Sequence, residues 1–339
     1  MRPEDLEPSR NDFRVLGVFN PGVVKIADEI VLLARVSEMP QDSKPGFVGL
    51  PRLRPEGNIV VDWVSQEAVD QLDSRVVRCK DNNLLRLTSI SHLRVFRSKG
   101  GRSAGWTPGA LWFPEMPFEA YGIEDPRITE IEGKYWITYV AVSTQGAATA
   151  LASTEDFEKL DRHGVIFPPE NKDVVLFPKK VSGHYLALHR PNSQFGRPQI
   201  WAARSPDLMH WGQHQCLYPG CNDWESDRVG AGAPPLEMEE GWLEIYHGSR
   251  RSSRANEVGA YSAGALLLER GDPNRILKRS IGPIMQPSAN FERIGFVPNI
   301  VFPTALLEND DRLQLFYGAA DACIGVVEFS RSELLESLQ

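Results

Sequence analysis

The sequence predicts an all-β fold, a five-bladed β-propeller. Three observations carry that prediction. Prolines and glycines, 25 and 28 of them in 339 residues, cut the chain into short apolar runs. Helical periodicity is nearly absent, and only Ser65–Leu72 and Ser330–Leu338 qualify. One pattern also recurs five times: a proline-bearing segment, a turn rich in acidic residues or glycine, then an apolar strand.

The proline-bearing segments are, in order, FNPGVV (19–24), EDPRIT (124–129), LFPKKV (176–181), GAPPLE (232–237) and VFPTAL (301–306). Proline lacks an N–H and is tolerated at a strand's first residue but not in its centre. Each segment is therefore expected to open a hairpin. The strands that follow are ADEIVLLAR (27–35), EGKYWITYV (132–140), SGHYLALHR (182–190), EGWLEIYHG (240–248) and DDRLQLFYG (310–318). A third element, FRSKGG (96–101), ASTEDF (152–157) or AARSPDL (202–208), follows three of the units, with Ser98, Ser153 and Ser205 spaced 55 and 52 residues apart. That spacing suits a propeller blade. Residues 36–75, rich in proline and polar groups, are expected to be an insertion leaving the first blade, helical near its end. No linker divides the chain, so residues 1–339 are expected to be one catalytic domain. A β-sandwich with coincidental hairpins is the competing architecture.

Composition narrows the function. The net charge of −8 disfavours general nucleic-acid binding but allows a local basic pocket. The charged opening MRPEDLEPSRND has no apolar signal core, and no run approaches the length of a membrane span. A cytoplasmic location is expected. Cys79, Cys216, Cys221 and Cys323 are expected to be ordinary thiols. His184, His189, His210 and His214 show no ligand spacing, so no metal is implied. There is no Walker loop or dinucleotide fingerprint, and GAGAPP (230–235) runs into prolines rather than a helix.

Polar residues recur where the segments should meet the axis. Asn20, Glu124, Asp125, Arg127, Lys179 and Lys180 sit in the opening segments. Arg35, His189, Arg190, Tyr246, His247 and Asp321 sit at or just past the ends of the second strands. Buried charges are paired or used, and groups at equivalent places in different blades could converge. The set holds a candidate acid, Asp125, and the cations Lys172, Arg190, Arg228 and His247. Aromatic faces at Tyr121, Trp201 and Tyr246 suit a sugar, and the cations suit phosphate. Together they suggest phosphorolysis of a glycoside.

The motifs FNPGVV, SHLRVFRSKGG, YGIEDPRIT, NKDVVLFPKK, LHRP, ARSPDLMHWG, RVGAGAPPLE, GWLEIYHGS, FVPNIVFPTAL and FYGAAD run in order from residue 19 to about 326. In this combination the chain resembles the β-mannoside phosphorylases of glycoside hydrolase family 130. The resemblance implies a five-bladed propeller that cleaves β-mannosides with inversion, giving α-mannose 1-phosphate and a shortened sugar. It implies Asp125 as general acid, acting through the 3-hydroxyl of the mannosyl unit. It places Lys172, Arg190, Arg228 and His247 around inorganic phosphate, a co-substrate rather than a cofactor. Asn20, Arg35 and Asp321 match positions that hold the mannosyl group. Tyr121, Glu124 and Tyr246 are further expected substrate contacts. Lys172 and Arg228 exchange the arginine and lysine common in the family, which keeps the charge but changes its geometry.

Three other functions are open to this sequence. An inverting hydrolase would need a second carboxylate, for which Glu225 and Glu292 are the candidates. A carbohydrate-binding propeller without turnover would not need the acid and cations together. A propeller acting on furanosides is expected to carry more carboxylates where its blades open. Here those places are taken as Asn20, Lys179, Pro234 and Thr304. The linkage cleaved, the acceptor sugar and the oligomeric state are not encoded legibly.

Overall fold

The computed structural model describes residues 1–100, 104–193, 195–221, 223–252 and 258–339. It is all-β. The last residue of FRSKGG lies outside the described residues.

Five antiparallel units follow one another along the chain. The first comprises Phe13–Ile26, Glu29–Pro40, Ile90–Lys99 and the edge strand Thr107–Trp112. The second, Gly122–Ile131, Lys134–Ser143, Gly146–Thr154 and Asp161–Phe167, joins it through a single parallel pairing of Gly122 with Ser91. The third is Asn171–Leu176, Tyr185–Pro191, Ile200–Ser205 and Gly212–Tyr218. In the fourth, Arg228–Ala231 and Leu236–Glu237 both pair with Trp242–Ser249, followed by Tyr261–Leu268 and Ile276–Arg279. The fifth is Val301–Asn309, Arg312–Ala319 and Cys323–Ser330.

The hairpins form where the sequence places turns. Glu132-Gly133 and Ser182-Gly183 adopt positive φ at both residues, 54° and 77°, then 53° and 81°. Such turns match the twist of the strands they join. Apolar clusters fill the space between successive units. Val175, Leu188, Val229, Trp242 and Leu266 pack between the third and fourth, and Leu243, Ala265, Val301 and Leu315 between the fourth and fifth. The fifth packs back on the first through Phe316, Ala305 and Ile324 against Val18, Ile30 and Leu32. Polar bonds tie the same seam, with Val18 N donating to Ala322 O (2.9 Å) and Thr304 Oγ1 to Pro21 O (2.6 Å).

Three expectations need correction. LFPKKV does not open a strand, and GAPPLE does so only at Leu236–Glu237, beyond its prolines. The third unit's strand ends at Leu176, and Pro178 to Lys180 lie in the turn region beyond it. The fourth unit's strand ends at Ala231, ahead of the prolines. Lys179 and Lys180 accordingly sit at the hairpin end of their sheet. There Lys179 pairs with Glu237 (2.6 Å) and Lys180 covers the Tyr185 ring. Ser65–Leu72 is not an α-helix: a 3-10 turn, Gln66–Ala68, leads into the strand Val69–Gln71. β-Branched residues at Val64 and Val69 and the pairing of Val69 with Cys79 favour the extended form. The segment between Pro40 and Ile90 instead holds two small sheets, Phe47–Leu53 with Ile59–Ser65, and Val69–Gln71 with Val76–Cys79 and Leu85–Leu87. Arg331–Ser337 is helical, capped by Ser330 Oγ, which accepts from Glu333 N (3.3 Å).

The described cysteines are free thiols. Among the described residues no helix is long and apolar enough to cross a membrane.

Candidate active site

The opening strands of the first three units share one distortion. Their register slips between Phe19 and Gly22, between Glu124 and Arg127, and between Lys172 and Val175. At each slip one residue turns to positive φ: Asn20 at 48°, Asp125 at 49° and Asp173 at 54°. Asn and Asp tolerate this backbone better than most side chains. In the first two units the bulge also accommodates a proline, which can give no ladder bond. The fifth unit slips at Thr304.

These bulges aim their side chains into a cavity of about 550 Å³. Among the described residues, six cations line it (Arg35, Arg75, Lys172, Arg190, Arg228 and Arg251) and six acids (Asp73, Glu124, Asp125, Asp173, Asp227 and Asp321). On one side Asp125 Oδ1 accepts from Asn20 Nδ2 (2.8 Å) and Arg35 Nη1 (2.9 Å), while Arg35 Nη2 bonds Glu124 Oε1 (2.8 Å). Arg35 also stacks on Phe19, 4.6 Å from its centroid, and donates from Nε to Ser91 Oγ. Gly318 makes room here, since a Cβ at that position would come within 1.8 Å of Asn20 Oδ1. Arg127 lies beneath, donating from Nη1 to the Asp125 carbonyl (2.9 Å) and from Nε to Gly232 O.

On the other side Asp173 Oδ2 pairs with Arg190 Nη1 (2.7 Å), with His247 Nε2 at 3.3 Å. Arg228 Nε pairs with Asp227 (2.7 Å), and Arg251 approaches the same carboxylate at 3.7 Å. Lys172 has no ion-pair partner among the described residues. Arg35 and Arg190 are register equivalents, opposite Phe19 and Lys172 in their own units.

Electrostatics follow from burial and these pairings. Burial pushes the Asp125 carboxyl up, but Arg35, Arg127 and Asn20 more than offset it and hold it below the usual range. Asp173, likewise buried, is held far down by Arg190 and His247. Asp321 goes the other way, because burial outweighs Arg75 and Arg35, with Asp125 and Glu124 adding to the rise. Burial keeps His247 below its ordinary value despite Asp173, so it is neutral at pH 7.

Asn20, Arg35, Glu124, Asp125, Lys172, Arg190, Arg228 and Asp321 all line the one cavity. Three expected contacts do not. Tyr121 is buried beneath Arg86, 5.0 Å from its ring centroid. Tyr246 is buried with its hydroxyl on Glu225 Oε1 (2.5 Å). His247 is buried behind Arg190, a neutral support rather than a fourth cation. Their strands alternate faces, and these side chains fall on the packed face or one layer back. Asp173 was missed because aligning the repeats on proline put Lys179 in its place. Aligning them on the arginine pair, ARV with HRP, would have found it. The third unit therefore does carry a carboxylate at its bulge, so the count of opening carboxylates does not argue against a furanoside-acting propeller.

Glu225 and Glu292 lie outside the cavity. Glu225 accepts from Tyr218, Tyr246 and Cys221 N, and Glu292 from Tyr317, Ser288 N and Ala289 N. Glu119 does the same with Tyr139, Glu115 N and Met116 N. Three units thus repeat one buried device, a glutamate that ties an interunit connector to a tyrosine on a second strand. Glu225→Gln and Glu292→Gln are expected to lower Tm by a few degrees while the product stays the same, read by thermal melts and sugar analysis.

A sequence profile described as β-1,4-mannooligosaccharide phosphorylase, for glycoside hydrolase family 130, matches residues 58–339. The chain belongs to glycoside hydrolase family 130. It is 39% identical to β-1,2-mannobiose phosphorylase of Listeria innocua, over 99% of this chain and 95% of that protein. The solved structure of that enzyme in complex with β-1,2-mannobiose superposes with a TM-score of 0.91 at 38% identity, covering 99% of this chain and 96% of the other. The chain is also 38% identical to 1,2-β-oligomannan phosphorylase of a Thermoanaerobacter species, over 70% of its own length and 78% of that protein's. Family 130 membership disfavours the furanoside reading that the bulge carboxylates alone leave open.

One buried acid serves the scaffold. Glu244 is fully buried near Arg127, accepts from Gly232 N (3.0 Å), and burial raises it well above the usual glutamate range. The native state therefore keeps a proton that the unfolded chain releases, so stability declines as pH climbs above the ordinary glutamate value. Glu244→Gln retains an acceptor for Gly232 and cannot ionise. It is expected to raise Tm at pH 8 relative to wild type and to leave it nearly unchanged at pH 4, measured by thermal melts across pH.

Proposed function

We propose that this chain is a single catalytic domain, a five-bladed β-propeller with an inserted pair of small sheets, that carries out inverting phosphorolysis of β-linked mannosides. The products are α-mannose 1-phosphate and a shortened sugar. One observation carries the choice of phosphorolysis: among the described residues, every acid lining the cavity lies within ion-pairing distance of an arginine, while Lys172 is left unpaired. A carboxylate locked to a cation is a poor base for water, whereas phosphate arrives already anionic. The same cations hold it in line and stabilise charge as it attacks.

In this reading Asp125 is the general acid, passing its proton through the mannosyl 3-hydroxyl to the leaving oxygen. Asn20, Arg35, Glu124 and Asp321 hold the mannosyl unit. Lys172, Arg190 and Arg228 hold phosphate, with Asp173 and His247 fixing Arg190. Phosphate bound in the same cavity adds negative charge beside Asp125 and raises its proton affinity, which equips a carboxyl otherwise held low by Arg35 and Arg127 to act as an acid. No cofactor takes part. The likeness to β-1,2-specific relatives favours a β-1,2-linked substrate, and free cysteines fit a cytoplasmic setting. Incubation with β-1,2- and β-1,4-mannobiose in phosphate buffer tests the linkage: turnover of the β-1,4 sugar alone would reverse it.

A further inference from the structure

The inserted sheets reach the cavity. Leu72, Asp73, Arg75, Val76 and Leu87 line it, although they lie between Pro40 and Ile90, outside the five units. The turn from residue 72 to 76 is fastened on both sides. Thr88 holds it from below, with Thr88 N donating to Arg75 O (2.9 Å) and Thr88 Oγ1 to Ser74 O (3.0 Å). Across the cavity Ser74 Oγ donates to Phe296 O (3.3 Å), and Arg75 Nη1 stands 3.7 Å from Asp321 Oδ2. The turn therefore spans the seam between the first and fifth units as a strap.

The strap forms the outer wall. The Arg75 side chain is 37% exposed and that of Asp73 22%, against 12% for Asp125 and 5% for Arg190. A sugar whose glycosidic oxygen is near Asp125 must send one residue inward, among Asn20, Arg35 and Glu124, and the other outward. Arg75 is set for that outer residue. Asp73 accepts from Arg75 Nη2 (2.9 Å) and Nε (3.4 Å) and from Arg75 N (2.7 Å), so the guanidinium is held rigid at its rear. Nη1 is left facing the cavity beside Asp321, where it can donate to vicinal hydroxyls.

Resting on the phosphorolysis reading, we propose that Arg75, braced by Asp73, binds the leaving sugar and so sets which acceptor the enzyme uses. The test is the reverse reaction, in which α-mannose 1-phosphate and free mannose are separate substrates with separate KM values. Arg75→Ala is expected to raise KM for mannose about tenfold or more and KM for α-mannose 1-phosphate less than about twofold. Arg75→Lys keeps a charge beside Asp321 but loses the fork, and is expected to shift the mannose KM in the same direction by less. A fall in kcat with both KM values unchanged, or a rise confined to mannose 1-phosphate, would overturn the assignment. Wild-type protein that makes no mannobiose at all would instead overturn the phosphorolysis reading.

Discussion

Asp125→Asn is expected to lose about 10²–10⁴-fold in kcat for mannobiose phosphorolysis while the protein keeps its fold. Asparagine fills the same volume at positive φ and still accepts from Asn20 and Arg35, so the bulge stands. It cannot give up a proton to the leaving oxygen. The loss would be confined to substrates with poor leaving groups. An activated aryl β-mannoside, whose phenolate leaves without protonation, should recover much of the rate. Steady-state kinetics on both substrates measure this, and equal loss on both would move the acid elsewhere.

Arg190→Ala has the second large effect, on two observables at once. It removes a cation from the side of the cavity proposed to hold phosphate and leaves the Asp173 carboxylate buried without its closest charge. Both side chains are nearly inaccessible, at 5% and 2%, so breaking the pair should destabilise the protein by about 3–5 kcal/mol. KM for phosphate should rise steeply, with KM for mannobiose much less affected. Arg190→Lys separates the two consequences. It preserves charge against Asp173 and hence most of the stability, but a point charge cannot replace the fork, so the phosphate KM should still rise. An unchanged phosphate requirement in both variants would displace the phosphate subsite.

The pH behaviour follows the same pairings. Asp173 is depressed in the folded state, so its contribution to stability is present above the ordinary aspartate value and disappears as pH falls below it. Glu244 works in the opposite sense. The native protein is squeezed from both sides, and Glu244→Gln widens the alkaline side only.

What the sequence reveals and what it conceals have physical causes. The five hairpins were legible because turn chemistry and apolar strands are local signals: Glu132-Gly133 announces its turn without reference to the rest of the chain. The opening strands were harder. Proline marked three of them, but Pro21, Pro126 and Pro303 lie at bulges inside their strands rather than at the first residue, and proline misplaced the third unit by several residues. Its bulge at Lys172-Asp173 carries no proline, while Pro178 sits in the turn beyond. Asp125, Arg35 and Asn20 could be grouped because equivalent positions on radiating units converge. Whether a side chain faces the cavity or the packed layer depends on a one-residue choice of strand face, and Tyr121 and Tyr246 fell on the wrong side of it. Arg75 and Asp73 were invisible as site residues, since only the strap's tertiary docking on Phe296 and Asp321 brings them to the cavity. Glu225 and Glu292 looked like spare carboxylates until their tyrosine partners were seen.

The most direct test is product identity. Purified protein is incubated with β-1,2-mannobiose, with and without inorganic phosphate, and mannose 1-phosphate and free mannose are quantified. With phosphate, equal amounts of α-mannose 1-phosphate and mannose should appear, and without it nothing. Two equivalents of free mannose at the same rate in both conditions would contradict the account and make the enzyme a hydrolase.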